Sequence, residues 1–371
     1  MSATIEDTMA DIPGGYIRPH AKYPPKMASM ETLGDIEDYS QRSYSRHGGR
    51  SSRLGGHAYY IFGETSWQPP DGTLVTQDNT VAIVMNPARP LISAYLSLQQ
   101  NGTVMPFVVP TPDEEQLTMG GGPEVRLQST GGIVETSPGV GWTYYQKEEE
   151  YGGASQPRGT GLTMVNIRVA TGEIVALRAS GDLLFGPEEP RVGSLSSILE
   201  GDYLYSWGHY GTGVLLARVP RRKPFDRRAH TFWNGDEYVE DWRAAKAVMV
   251  DVQEGAVMKS KLFGAGKEWV FVGGSQWAEG RVMVGAAASI EGPWEMTEVC
   301  ARAGVDCIYP HQWVYEEMNG ELMVSWREGR PGRVLAGKLK LEMGKLNLQL
   351  PVFSVASLTK DVQRTPCSGK L

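Results

Sequence analysis

Residues 46–65 read RHGGRSSRLGGHAYYIFGET. His47 stands before an aromatic run and Glu64 just after it. Histidine titrates near neutral pH, so it suits proton transfer. A carboxylate that closes an aromatic run sits where burial and neighbours shift its pKa. Folded back on each other, the two make an acid/base pair, with the Arg50 cation close by. Further along, Arg191, Ser194, Lys259 and His311 supply groups that polarise a carbonyl or hold an anion. Six aromatic side chains, Trp67, Tyr144, Trp207, Trp277, Trp313 and Trp326, suit the wall of a pocket for a sugar ring or a flat apolar molecule. The chemistry these residues allow is proton transfer on a small molecule, with His47, Glu64 and His311 as catalytic groups and the rest as binding groups.

Such residues need elements that bring them to one place. The chain holds 45 glycines and 23 prolines, and almost no stretch keeps a 3.6-residue apolar period. The best helical candidate, WRAAKAVMVDV at 242–252, is short and turns β-branched. Short apolar runs bounded by glycine dominate, and these read as strands. One unit recurs: a glycine turn, a few apolar or aromatic residues, then a polar exit. Its copies are GGHAYYIFGET (55–65), GVGWTYYQKE (139–148), GDYLYSWGHYG (201–211), GKEWVFVGGSQW (266–277) and NGELMVSWREG (319–329). Each has a strand-like run before it and another after it. Gly56, Gly141, Gly201, Gly266 and Gly320 mark the turns, 54 to 85 residues apart. Three antiparallel strands per unit, with room for a fourth, predict an all-β fold, a five-bladed β-propeller, in which radial repetition protects the sheet edges. The proline-rich residues 1–40 predict an extended N-terminal arm on the rim or closing the last blade. The propeller then spans 41–345, and a tail, 346–371, closes it or packs on it.

In a propeller the innermost strand of each blade lines the axis. Lining up the units places His47 with Arg50, Glu135, Arg191 with Ser194, Lys259 with Ser260, and His311 with Gln312 on the inner strands. The exits of the second strands carry Glu64, Gln146, His209, Gln276 and Glu328. Each residue has a plainer role beside the functional one. A polar strand exit is simply solvated, Arg191 follows GPEEP and pairs with Glu188 or Glu189, a channel histidine is a structural hydrogen-bonding group, and the aromatics pack between blades.

A net charge of −7 over 371 residues leaves no broad basic face, which argues against nucleic acid as a partner. The RVPRRKPFDRR stretch at 218–228 reads as a solvated loop. Three cysteines, an odd number without metal-ligand spacing, argue against a disulfide framework. MSATIEDTMADIPGGYIRPH has no apolar leader core, no run reaches the ~18–20 apolar residues of a membrane span, and the SGKL terminus departs from the peroxisomal Ser-Lys-Leu address. The expectation is a cytoplasmic protein with no membrane partner. Phosphate-loop, dinucleotide, zinc and Gly-x-Ser-x-Gly motifs are all missing, so no cofactor and no metal are expected. The expected partner is a small-molecule substrate, and the oligomeric state stays open.

RHGGRSSRLGG…YYIFGET, GPEEPRVGS, YPHQW and SWREGRPGRVLAGKLKL together resemble a domain family of five-bladed propellers of bacteria and fungi, over roughly residues 40–345. Some bacterial members are endo-D-arabinanases, and the wider likeness is to glycosidase propellers that include arabinanases and invertases. The resemblance implies Arg-Asp-Gly-Gly and Gly-Asp-Thr motifs whose aspartates carry hydrolysis. This chain has His47 and Glu64 there, whereas glycoside hydrolysis uses two carboxylates. The reading that follows is an intracellular biosynthetic enzyme on a repurposed glycosidase-like propeller, a cyclase, isomerase or pericyclase. One alternative is a furanosidase pairing Glu64 with Glu135 or Glu328. A second is a non-catalytic ligand-binding propeller.

Overall fold

The computed structural model describes residues 20–344, except 70–71, 100–101, 169, 179–180, 277–279, 303, 312–319 and 330–331. Its strands form five separate sheets, the blades of a five-bladed β-propeller. Blade 1 runs outward through Ser45–Leu54, His57–Trp67, Val75–Val84 and Ile92–Ala94. In blade 2 two short strands, Glu124–Ser129 and Val134–Ser137, share Val140–Tyr151, and Ala154–Arg168 and Glu173–Leu177 follow. Blade 3 holds Arg191–Glu200, Tyr203–Tyr210 and Gly213–Pro220, with short outer strands. Blade 4 is Glu254–Lys259, Trp269–Gly274, Arg281–Ala287 and Glu295–Ala301. Blade 5 is Val305–Pro310, Glu321–Glu328 and Arg333–Leu341, and its outermost strand comes from the other end of the chain: Met27–Asp35 pairs antiparallel with Arg333–Leu341. That stretch, expected from sequence as an arm on the rim or closing the last blade, forms a full strand here. The inner strands of neighbouring blades touch one another around the axis.

The second strands carry runs of buried residues, mostly apolar, rather than an alternation, because each is covered on both faces. Successive side chains point to opposite faces, so Tyr59 and Ile61 fill the wedge between blades 1 and 2 while Tyr60 and Phe62 fill the wedge between blades 5 and 1. Trp269 and Phe271 pack toward blade 3, and Val270 and Val272 toward blade 5. The core is therefore divided into five wedges, one per blade interface.

This arrangement absorbs most of the aromatics expected to face a substrate. Tyr144, Trp207 and Trp326 are fully buried in the wedges. Tyr144 Oη lies 3.3 Å from His230 Nε2 of blade 3. Trp67 is buried at the end of its strand, beneath the Arg42 guanidinium at 5.4 Å. These four are packing residues, a correction to the sequence analysis. Trp277, Trp313 and Gln312 lie outside the described residues. Among the described residues no helix is long and apolar enough to cross a membrane.

Candidate active site at the propeller mouth

Each blade opens with a hairpin, so the start of its inner strand pairs with the end of its second strand. His47 stands opposite Glu64, Arg191 opposite His209, Glu254 opposite Gly274 and Asp306 opposite Arg327. These pairs define one mouth of the axis. Of the residues singled out in the sequence, His47, Glu64, Arg191 and Ser194 sit there. Lys259, Glu135 and His311 do not. Lys259 pairs with Trp269 at the hairpin end of its strand, and its ammonium binds exposed Glu200 at 2.5 Å. Glu135 caps the next turn, accepting from the Gly55 and Gly139 amides at 2.8 Å each. His311 follows its inner strand at the hairpin end, fully buried and edge-on to Tyr60, and burial holds its pKa down to about 3. The hairpins differ in length. Two residues join the strands of blade 1 and nine those of blade 4, so counting back from the turn glycine stops at different heights.

The inner strands are bulged near the mouth. Register slips between His47 and Arg50, between Arg191 and Ser196, and between Asp306 and Tyr309. Bulges re-aim side chains and gather near functional sites. The sequence provides for them. Gly193 has φ +76°, and a Cβ there would meet the Tyr144 ring at 2.3 Å. In blade 5 the bulge falls on Cys307, at φ +52°.

Arg50 comes from its bulge into the axis. It is 7% exposed, and its Nη1 donates to Leu195 O of blade 3 and Gly255 O of blade 4, both at 2.7 Å. Its guanidinium stacks on Tyr309 of blade 5 at 4.5 Å. In blade 2, Gly132 lies alongside it, where a Cβ would sit 3.4 Å from Arg50 Cδ. Arg50 is thus a floor that ties the blades together, a structural role in place of the substrate-binding role expected from sequence.

Above this floor lies a polar cluster. Burial, then Asp306, pushes the Glu254 carboxyl above its ordinary range, against the pull of the Cys307 and Ile308 amides and the Arg50 charge. Asp306 is clamped by Arg327 through both oxygens, with Nε–Oδ1 at 2.6 Å. His47 Nε2 lies 3.6 Å from Cys307 Sγ. Burial and the Arg327 charge lower the His47 pKa, so the ring is neutral at physiological pH. A Cys–His contact invites a nucleophilic reading, but burial, Glu254 and Asp306 all push the Cys307 thiol up. The thiolate that such chemistry needs is suppressed. Glu64 is drawn sideways to Arg126 at 3.3 Å, which also binds Asp78 at 2.7 Å and Glu150 at 3.1 Å beside a 380 Å³ cleft between blades 1 and 2. Glu328 pairs with Arg302 at 3.2 Å. In blade 3, Ser194 Oγ and His209 Nδ1 lie 2.8 Å apart, while Arg191 is exposed. Among the described residues no group of three or more His, Cys, Asp or Glu is placed to hold a metal.

Sequence reasoning missed Glu254, Asp306, Cys307, Tyr309 and Arg327. One signal was available for Glu254. It stands directly before Gly255, as His47 stands before Gly48 at the mouth of blade 1.

No known family profile and no curated protein sequence matches the chain. Solved structures do match. A candidate hydrolase from Bacteroides ovatus aligns over 83% of this chain and 86% of its own, at 12% identity and a TM-score of 0.54. What is shared is the fold. An exo-β-1,3-galactanase from Phanerochaete chrysosporium aligns over 82% of this chain and 63% of its own at 12% identity (TM-score 0.47). A GH43_1 enzyme from Xanthomonas citri, complexed with xylose, aligns over 82% and 90% at 11% identity (TM-score 0.46).

Proposed function

We propose that the protein is an enzyme of the glycosidase-propeller type that cleaves a glycosidic bond at the mouth. The observation that carries this reading is the pair of carboxyl groups from neighbouring blades in unlike surroundings. Glu254 is held toward its protonated form by burial, and Asp306 is clamped by Arg327. Carboxyl groups in such contrasting environments can divide acid and base roles between them. Glu254 donates the proton to the leaving oxygen, and Asp306 supplies the negative charge that activates water or meets the developing sugar cation. This replaces the pairing of Glu64 with Glu135 or Glu328, since Glu135 is spent on a turn and Glu328 on Arg302. The substrate class is a neutral furanoside or pyranoside.

A second reading, a cyclase or isomerase acting on a small metabolite, is favoured by neutral His47, a base already in register with Glu64. One experiment separates the two. Wild type and Glu254→Gln are assayed on 4-nitrophenyl α-L-arabinofuranoside, β-D-xyloside and β-D-galactoside. The glycosidase reading expects cleavage of at least one, lowered ~10²–10⁴-fold in the variant, as for loss of a general acid. A variant as active as wild type would overturn it. With no cleavage by wild type, metabolite profiles of cells with and without the gene decide, since a precursor of equal mass that accumulates supports the isomerase.

A further inference from the structure

Ser194 and His209 face each other across the first two strands of blade 3. The register slip between Arg191 and Ser196 lifts Ser194 out of the regular ladder. Its Oγ lies 2.8 Å from His209 Nδ1 and accepts from the His209 backbone amide at 3.0 Å. On the far side of the ring, His209 Nε2 lies 3.3 Å from Val252 O. A carbonyl only accepts, so Nε2 carries the ring proton. Nδ1 is then a bare lone pair, and the Ser194 hydroxyl donates to it. Burial, against the backbone bonds, keeps the ring neutral, and the charges of Arg191 and Arg50 act in the same direction. The pair is partly exposed at the mouth.

This is a nucleophile in hydrogen-bond contact with a base, which a third group orients. We propose that Ser194 and His209 carry acyl transfer, hydrolysing a small carboxylic ester in the mouth. Oγ bonds to the carbonyl carbon and its proton passes to Nδ1. The exposed Arg191 cation at the start of the same strand faces the negative charge of the tetrahedral oxygen. The carbon–alkoxy bond then breaks, and the alcohol leaves with the proton from Nδ1. Water, deprotonated by the same nitrogen, attacks the acyl-serine, releasing the carboxylic acid and restoring the hydroxyl. The step uses neither Glu254 nor Asp306, so it stands apart from the glycosidase reading.

The test uses the full chain with a fluorophosphonate probe, and separately with 4-nitrophenyl acetate. Peptide mass mapping should find one phosphonyl adduct, on Ser194. The adduct should vanish in Ser194→Ala, form ~100-fold or more slowly in His209→Gln, and form at the wild-type rate in Lys259→Met, on the opposite rim. Nitrophenolate release should fall in parallel. If Ser194→Ala fails to fold, Ser194→Cys keeps the shape, and its new thiol should react with iodoacetamide faster than Cys300. A folded wild type with no adduct on Ser194, ester hydrolysis undiminished in Ser194→Ala, or a new thiol in Ser194→Cys no faster than Cys300 would each overturn the proposal.

Discussion

Replacing Arg50 by methionine separates a structural floor from a substrate ligand. The side chain is 7% exposed and holds two carbonyls at 2.7 Å and one ring at 4.5 Å. A hydrogen bond from a charged donor contributes about 1.5–3 kcal/mol, and a desolvated cation–π contact about 2. Removing the guanidinium recovers its desolvation cost of several kcal/mol, which offsets much of that loss. Methionine keeps most of the volume, so no large cavity opens. The net expectation is a loss of about 2–4 kcal/mol, most of it from leaving Leu195 O and Gly255 O without a donor. At ~2 °C per kcal/mol for a chain of this size, Tm should fall by about 4–8 °C. The assay is thermal unfolding by circular dichroism or calorimetry, with Arg191→Met as control. Arg191 is exposed, and its variant should melt within about 1 °C of wild type, as surface changes usually do. Arg50→Lys should fall between, because an ammonium cannot bridge both carbonyls and stack. An Arg50→Met protein that melts with wild type but no longer binds or turns over substrate would refute the floor and restore a ligand role.

Three further outcomes follow from the same geometry. The raised Glu254 pKa means that the stability from burying its neutral form is fully present below its ordinary 4.5 and is lost as pH rises through its folded value; melts across pH 4–8 should show this decline in wild type and a flatter curve in Glu254→Gln. Burial pushes Glu114 up, but Arg178, Lys147 and the Thr111 amide outweigh it and bring the pKa down to about 2, so its contribution is present above the unfolded value and lost as pH falls toward 2; Glu114→Gln should cost ~2 kcal/mol at pH 7 and little near pH 2 by urea unfolding. At pH 8 Cys307 should react with iodoacetamide at least ~10-fold more slowly than an exposed thiol, read by peptide mapping, until the chain is unfolded.

The blade pattern was legible because hairpin geometry is local. A glycine turn flanked by β-forming residues fixes two strands and their register whatever surrounds them. The pairing of His47 with Glu64 and of Arg191 with His209 could be read for the same reason, since only a short turn separates their strands. Lys259 was misplaced where the hairpin loop is long, as it is in blade 4. Turn position no longer reports the height of a residue along the axis when loop length varies. The aromatics were misread because a strand covered on both faces and a strand lining a pocket have the same composition. Trp207 and Trp326 differ from pocket residues only in what the next blade places against them.

Five repeats, their order, the hairpins and the acidic, all-β character of the chain are all written along it. They follow from turn residues, β-propensity and charge, each a property of a short stretch. That Arg50 closes the axis, that Glu254 and Asp306 come from neighbouring blades into unlike surroundings, and that Ser194 faces His209 with Val252 behind it emerge from the folded ring. Those relations join residues from different blades or across a bulge. They depend on where ring closure sets each strand along the axis, and no local pattern encodes that height.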